Sequence, residues 1–295
     1  FLVGPGSSGK SFLSLQLAMT LAAGVDFFGL WEALGGEKDD LIPRGRVLYC
    51  GLEDPADPAN GRGVIQHRGH DAGAFMRTPG EWRAVNEYFD YMALYGKGFT
   101  ITDVEDGTLI ASDWWDKVSK YCKGDGDRPP VRLLIIDTFN RSIPGLDESR
   151  QVEMGPVMAI LEALCDELQV TILIVHHVSK AAARSPDGME SADASRGSNV
   201  LTSNSRFVAI LRSMMESERT KRGLAADDKR RWALLTTPKA NYRPEESGRW
   251  LLRNHGGILS GFPEDQPPGV VGVDGNSVPA KRVSLKTVVV GKKQI

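Results

Sequence analysis

The first residues of the chain combine glycines, a lysine and a hydroxyl side chain at a spacing suited to holding phosphate groups. The pattern G-x-x-x-x-G-K-[ST] is matched by Gly4, Pro5, Gly6, Ser7, Ser8, Gly9, Lys10 and Ser11. In such a loop, backbone N–H groups turn inward, the lysine reaches the β- and γ-phosphates, and the serine hydroxyl ligates Mg²⁺. We therefore predict a P-loop that binds ATP and Mg²⁺. The alternative is a glycine-rich turn that caps a helix.

Two carboxylates come directly after apolar runs. Glu53 follows Arg46–Leu52, and Asp137 follows Val131–Ile136. Continuous apolar runs of this length are typical of buried parallel strands, and ligands bind at the carboxyl edge of such sheets. Asp137 then occupies the Walker B position, where a carboxylate holds Mg²⁺ through water. Each acid has a simpler alternative role, as a cap for the segment that follows it.

Strands and helices must alternate to bring these residues together. An apolar stub, Phe1–Val3, precedes the P-loop, and a helical pattern, Phe12–Ala22, follows it. Another helical pattern covers Val152–Leu168, and the strand Val170–Val175 leads into His176 and His177. This alternation predicts an α/β fold with a mostly parallel central β-sheet flanked by helices.

The remaining segments carry weaker patterns. We predict helices at Ser112–Cys122, around Glu81–Leu94 and at Ser217–Arg231, and strands at Phe99–Thr102, Arg206–Leu211, Trp232–Thr237 and Trp250–Arg253. A long polar loop is predicted for Lys180–Ser195. One domain covers residues 1–260, and a flexible C-terminal tail covers 261–295, where Pro, Gly and Lys accumulate.

Composition is that of an ordinary globular protein. The 295 residues include 41% hydrophobic and 25% charged residues, with a net charge of −2. This balance argues against a surface that attracts nucleic acid everywhere, so any DNA site must be local or assembled from several subunits. Three scattered cysteines and the lack of a long apolar run favour a cytoplasmic protein with no membrane span. The chain starts at Phe1, without Met, which predicts a missing upstream segment.

Taken together, these motifs resemble the RecA-like hexameric ATPases, and within them the RepA family of plasmid-encoded replicative helicases. The matching stretches are Gly-Lys-Ser with Leu-Gln-Leu-Ala within 9–18, Glu-Asp-Pro at 53–55, His-His-x-Ser-Lys at 176–180, Ala-Ser-Arg-Gly-Ser at 194–198 and Pro-Lys-Ala-Asn-Tyr at 238–242. The likeness covers roughly residues 1–260. It implies a RecA-like P-loop NTPase fold.

The resemblance also implies roles for individual residues. Glu53 would be the general base that orients the attacking water, and His177 would sense the γ-phosphate. Arg206 would be an arginine finger that enters the neighbouring subunit's site, which requires a homo-oligomer, in this family a hexamer. Without the resemblance, Arg206 is only a charged residue that opens a strand. His176 is interpreted as a core residue.

The family places a channel-facing DNA loop at residues 180–196. Lys180, Arg184 and Arg196 are the candidate contacts to single-stranded DNA, but Asp187, Glu190 and Asp193 balance their charge. A ring would present six such loops to one strand, and each neutralised phosphate adds affinity through counterion release. From composition alone, a solvated flexible loop explains the segment equally well.

The function predicted from the sequence is an ATP-dependent 5′–3′ DNA helicase that acts as a ring in plasmid, phage or mobile-element replication. Two alternatives stay open. One is a recombination mediator that coats single strands without unwinding, and the other is a regulatory RecA-like ATPase whose hydrolysis ignores DNA. A small-molecule kinase fits less well, because no lid or acceptor motif is evident.

Overall fold

A ten-stranded sheet forms the centre of the part of the chain described in the computed structural model. The described residues are 1–33, 41–56, 63–178, 199–225, 230–241, 246–261 and 287–288. The strands are β1 Leu2–Gly4, β2 Arg46–Gly51, β3 Phe89–Ala93, β4 Thr102–Glu105, β5 Thr108–Ala111, β6 Val131–Asp137, β7 Thr171–His177, β8 Phe207–Ser213, β9 Trp232–Ala240, β10 Glu246–Arg253, β11 Leu259–Gly261 and β12 Thr287–Val288. Of these, β4 and β5 form a separate hairpin.

Helices connect most of the early strands. They are α1 Lys10–Ala23, α2 Leu30–Ala33, α3 Val64–Gly73, α4 Pro79–Tyr88, α5 Asp113–Lys123, α6 Phe139–Ser142 and α7 Gln151–Leu168. Two short helices, Asn199–Asn204 and Glu216–Lys221, and a 3-10 turn, His255–Gly257, follow. None of the helices in the described ranges is long and apolar enough to cross a membrane.

The strand order in the main sheet is β11-β10-β9-β8-β1-β7-β6-β2-β3-β12. All neighbours from β8 to β12 in this order are parallel, whereas β8, β9, β10 and β11 form an antiparallel meander. Gly4 is in register with His177, and Gly51 with Asp137. The carboxyl ends of β1, β2, β6 and β7 therefore meet at one edge. The predicted α/β class with a mostly parallel sheet is confirmed.

Helices cover both faces of this sheet because its strands are apolar on both sides. In β2, Val47 and Tyr49 pack into one core with α1, α3 and α4, whereas Leu48 and Cys50 pack into the other with α5 and α7. Side chains that alternate along a strand point to opposite faces, so a continuous apolar run is needed to fill both cores. This double burial fixes the strand ends that carry the candidate site.

The predicted helix around Glu81–Leu94 is wrong for its last six residues, 89–94. Helix α4 begins with a capping box between Thr78 and Glu81 and ends at Tyr88, and β3 follows immediately. The segment pairs in parallel with β2, and buried Asp90 accepts a hydrogen bond from Arg46 at 2.8 Å. Pairing with the sheet and this buried ion pair outweigh the helical pattern of the sequence.

Two other predicted elements differ from the structure. Phe99 and Ile101 are buried in a loop rather than in a strand, and the strand β4 starts only at Thr102. The turn Asp106–Gly107, with φ of 48° and 76°, closes the β4–β5 hairpin, as Asp-Gly pairs commonly do. The charged helix predicted at Ser217–Arg231 covers only Glu216–Lys221, because Gly223, with φ of 66°, ends it.

The C-terminal prediction is largely outside the described residues. Of the predicted tail, 261–295, the structure describes Gly261 and Thr287–Val288. The latter pair in parallel with Tyr91 and Met92 of β3. The boundary between the predicted domain and tail thus stays a prediction.

Candidate nucleotide-binding site

The loop between β1 and α1 has the backbone conformation of an anion cradle. Ser7, with φ of 59°, and Gly9, with φ of 102°, are left-handed, and the N–H of Ser8 bonds the carbonyl of Pro5 at 3.3 Å. Alternation of such conformations turns successive N–H groups toward one concavity, and the amino end of α1 adds its dipole. The strand–loop–helix context predicted for Gly4 to Ser11 is therefore present.

Lys10 lies beneath this loop. Its Nζ donates to the carbonyls of Gly4 and Pro5, each at 2.8 Å, and lies 3.4 Å from His177 Nδ1. Burial lowers the pKa of Lys10 to about 8, although the charges of Asp137 and Glu53 oppose this shift. The ammonium is thus held at the phosphate cradle in an environment that makes an anionic ligand favourable.

Glu53 lies just beyond the end of β2, where it meets β6 and β7. Its Oε1 is 3.8 Å from His177 Nε2 and 3.1 Å from the hydroxyl of Thr138. The interaction with His177 is the main cause that lowers the pKa of Glu53, and the Thr138 hydroxyl acts in the same direction, whereas burial opposes both. The carboxylate is therefore ionised at neutral pH and half-exposed to the site.

His177 connects the two charged groups. One ring nitrogen faces Lys10 and the other faces Glu53, because β7 pairs with β1 in the register that sets His177 beside Gly4. The imidazole thus spans the space between a cation and a carboxylate.

Asp137 ends β6 at the same edge and is almost completely buried. Tyr49 donates a hydrogen bond to its Oδ2 at 2.5 Å, whereas Oδ1 has no hydrogen-bond partner among the described residues. Burial raises the pKa of Asp137, and the hydrogen bond from Tyr49 and the nearby Ser11 hydroxyl oppose the rise. An unpartnered carboxylate oxygen beside the Ser11 hydroxyl fits the oxygen ligands that Mg²⁺ prefers.

The adjacent His176 faces the opposite way. It is 1% exposed, and its ring packs edge-on against Phe1 and Phe139, with centroids 6.4 and 5.6 Å apart. Its Nε2 lies 3.7 Å from Glu148 Oε2. Because successive strand residues point to opposite faces, His177 reaches the site and His176 lies in the core, as the sequence predicted.

Arg206 is exposed and far from the P-loop of its own chain. It precedes β8, and Leu211 of β8 lies against Gly4. The five residue-to-residue steps from Leu211 back to Arg206 span about 16 Å of extended chain, toward the amino edge of the sheet. Arg206 is therefore not part of the site formed by Lys10, Glu53, Asp137 and His177. The predicted DNA contacts Lys180, Arg184 and Arg196 lie outside the described residues.

The structure adds three side chains that sequence patterns did not single out. Tyr49 holds Asp137, Thr138 contacts Glu53, and Arg253 donates from its Nη2 to the carbonyl of Ser8 at 2.8 Å. Thr138 follows Asp137 directly, so its position at the end of a predicted strand is a sequence signal for the site. Tyr49 is one aromatic within an apolar strand, and Arg253 comes 243 residues after Lys10, so neither gives a sequence signal.

Comparison with known proteins agrees with this geometry. The AAA_25 family, described as an AAA domain, matches residues 1–183, and the chain belongs to this family. Its fold is that of a RecA-like P-loop ATPase. Among solved structures, it is similar to one described as an ATPase domain, with a TM-score of 0.58, 13% identity, and coverage of 89% of this chain and 84% of that one.

A second similar structure is a DnaB-like replicative helicase, whose interactions with primase are described with it. The TM-score is again 0.58 at 13% identity, and the match covers 89% of this chain and 57% of that chain. The chain thus spans little more than half the length of that helicase. At this identity, both likenesses establish the fold.

Proposed function

We propose that this protein is an ATP-driven DNA helicase, which forms a ring and moves along one strand of DNA. The observation that supports the proposal most is the link from Lys10 through His177 to Glu53. This link joins Lys10, which would contact the γ-phosphate, to Glu53, the carboxylate that would act on water. The segment 179–198, which carries the candidate DNA contacts, begins two residues after His177.

Hydrolysis would proceed by in-line attack of water on the γ-phosphorus. Glu53 would accept the proton of that water, which requires an ionised carboxylate near the phosphate. The lowered pKa of Glu53 meets this requirement at neutral pH. Contacts from Thr138 and His177 restrict the carboxylate to one side of the site, and this would orient the attacking water.

The metal would be held by few protein groups. Ser11 would ligate Mg²⁺ directly, and Asp137 would act through water, with its unpartnered Oδ1 as acceptor. When bound, Mg²⁺ neutralises charge on the phosphate oxygens. Lys10 would stabilise the same developing charge from the opposite side of the P-loop, after it releases its bonds to the carbonyls of Gly4 and Pro5.

A ring would complete the site. Arg206 is exposed at the amino edge of the sheet and cannot reach its own P-loop, so a phosphate contact requires another subunit. In a hexamer with head-to-tail contacts, each subunit would present its Arg206 to the next one's nucleotide. Hydrolysis would then depend on assembly, because each active site would contain residues of two subunits.

DNA would bind to the segments 180–196 of several subunits. A single copy carries Lys180, Arg184 and Arg196 against three acidic residues, so one loop is a weak ligand for DNA. Six copies around one strand would neutralise several phosphates, and affinity would fall steeply with salt. Strand Thr171–His177 connects this segment to the nucleotide site, because the backbone of Val178 bonds the carbonyl of Gly4 at 3.2 Å.

The direct test is strand separation on forked duplexes that carry a single-stranded tail of one polarity. We expect ATP-dependent unwinding with a 5′ tail, none with a 3′ tail alone, and none by Glu53→Gln. DNA-stimulated hydrolysis without strand separation would contradict the helicase proposal and favour a recombination mediator. Hydrolysis indifferent to DNA would favour a regulatory ATPase. Plasmid, phage or mobile-element replication is the proposed setting, since the RepA-like motifs occur together in this chain.

A further inference from the structure

A second cation of the same chain touches the P-loop. Arg253 ends β10 at the sheet edge where the P-loop lies, and its Nη2 donates to the carbonyl of Ser8 at 2.8 Å. Within the part of the chain that the structure describes, this is the one hydrogen bond of the guanidinium. A methyl group on Gly9 would lie 3.1 Å from its Nη1. Arg253 therefore contacts the backbone of the P-loop at Ser8 and Gly9.

The turn after Arg253 is attached to helix α1, which restricts the movement of the strand end that carries the arginine. The Gln16 side chain donates to the carbonyl of Leu259 at 2.5 Å and accepts from its N–H at 2.9 Å. Gly257 packs so closely on the ring of Phe12 that an added methyl group would lie 2.9 Å from it. The β10–β11 hairpin, residues 246–261, is thereby attached to α1 at two places and to the P-loop at a third.

We propose that Arg253 is a positioning residue for the P-loop, which fixes the Ser8 carbonyl so that the Gly9 N–H, on the opposite side of the same peptide, faces the triphosphate. The loop needs such support, because Ser7 and Gly9 both have positive φ and few other bonds restrain them. A guanidinium is suited to the task, since it stays charged and its planar donors are pre-organised, so that little conformational entropy is lost when one of them bonds. The proposal rests on the nucleotide site and is independent of any action on DNA.

The test is equilibrium binding of a fluorescent ATP analogue, together with steady-state hydrolysis. We expect Arg253→Gln to raise both the dissociation constant and KM about tenfold, the effect of losing one charge-assisted hydrogen bond. Turnover at saturating ATP should stay within about twofold of the parent, because the groups that act on water are untouched. Arg253→Lys, which keeps a donor and a charge, should recover part of the affinity.

The matched control is Arg222→Gln. Arg222 is exposed and packs over Trp250 of the same strand at 5.0 Å, but it does not touch the P-loop. Its substitution should leave the dissociation constant unchanged. Thermal unfolding without nucleotide separates positioning from general stability. If Arg253→Gln lowers the melting temperature while the folded protein binds the analogue as the parent does, the proposal is overturned.

Two further outcomes are informative. A fall in turnover at saturating nucleotide with an unchanged dissociation constant would also overturn the positioning role, since it would make Arg253 a participant in the chemical step. Lys10→Ala must abolish binding of the analogue. If Lys10→Ala still binds the analogue, the nucleotide does not bind at the P-loop, and the proposed role of Arg253 is overturned. A protein that binds ATP but does not unwind DNA would contradict the helicase proposal and leave the role of Arg253 unaffected.

Discussion

Glu53 is the residue on which the hydrolytic proposal depends. Its carboxylate is ionised, half-exposed and held by Thr138 and His177, as a base that orients water must be. Glu53→Gln keeps the shape and removes the charge. We expect nucleotide to bind as in the parent and turnover to fall by about 10²–10⁴-fold, the usual contribution of a general base.

Binding and hydrolysis should be measured on the same preparation of that variant. Glu105→Gln is the matched control, because Glu105 is an exposed acid of the separate β4–β5 hairpin. It should behave as the parent in both assays. Undiminished turnover by Glu53→Gln would remove the proposed base.

The lowered pKa of Lys10 leads to a prediction about pH. Lys10 is protonated below its pKa of about 8 and loses its charge above it. A bound triphosphate favours the ammonium, so affinity for ATP should be flat below pH 8 and should fall as pH rises above it. Binding measured between about pH 7 and 9.5 checks this. Lys10→Ala should bind ATP weakly at every pH. An affinity of the parent that stays constant from pH 7 to about 9.5 would contradict this role of Lys10.

At the scale of elements, the packing of β1 against β8 depends on a glycine. A methyl group on Gly4 would lie 2.1 Å from the carbonyl oxygen of Leu211, and one on Gly6 would have no neighbour within 4 Å. Gly4→Ala should therefore force β1 and β8 apart and cost about 1–3 kcal/mol of stability or more. Gly6→Ala should unfold at the same temperature as the parent. Equal melting temperatures of the two variants would contradict the close packing of β1 against β8 at Gly4.

Sequence patterns predicted the strands of the sheet better than the segments between them. Arg46–Leu52, Val131–Ile136 and Val170–Val175 are continuous apolar runs, and each forms a central strand because both faces of it are covered. The segment Phe89–Ala93 has a helical pattern but forms a strand, because it pairs with β2, whose residues lie about 40 positions away. Local periodicity contains no information on such a partner.

The same distinction holds in the site. Lys10, Glu53, Asp137 and His177 were predictable, since a motif or the end of an apolar run marks each of them. Tyr49 and Arg253 were not, because their roles come from the fold. Tyr49 reaches Asp137 only because β2 lies beside β6, and Arg253 reaches Ser8 only because the β10–β11 hairpin packs on α1.

In the proposed assembly, each subunit completes the nucleotide site of its neighbour with Arg206. Arg206→Ala and Lys10→Ala should each be inactive alone, the first without a finger and the second without a working P-loop. When the two are mixed, some interfaces combine an intact P-loop with an intact Arg206, so hydrolysis should reappear. Each variant at doubled concentration is the control. No recovery in a mixed assembly would contradict action between subunits.

If hydrolysis at this site is coupled to DNA, single-stranded DNA must change its rate, so the decisive measurement is the rate of ATP hydrolysis with and without single-stranded DNA. We predict strong stimulation by DNA that weakens as salt rises and is lost in Lys10→Ala. A rate that single-stranded DNA leaves unchanged, in a protein that hydrolyses ATP through Lys10, would contradict the account and make the chain an ATPase with another task.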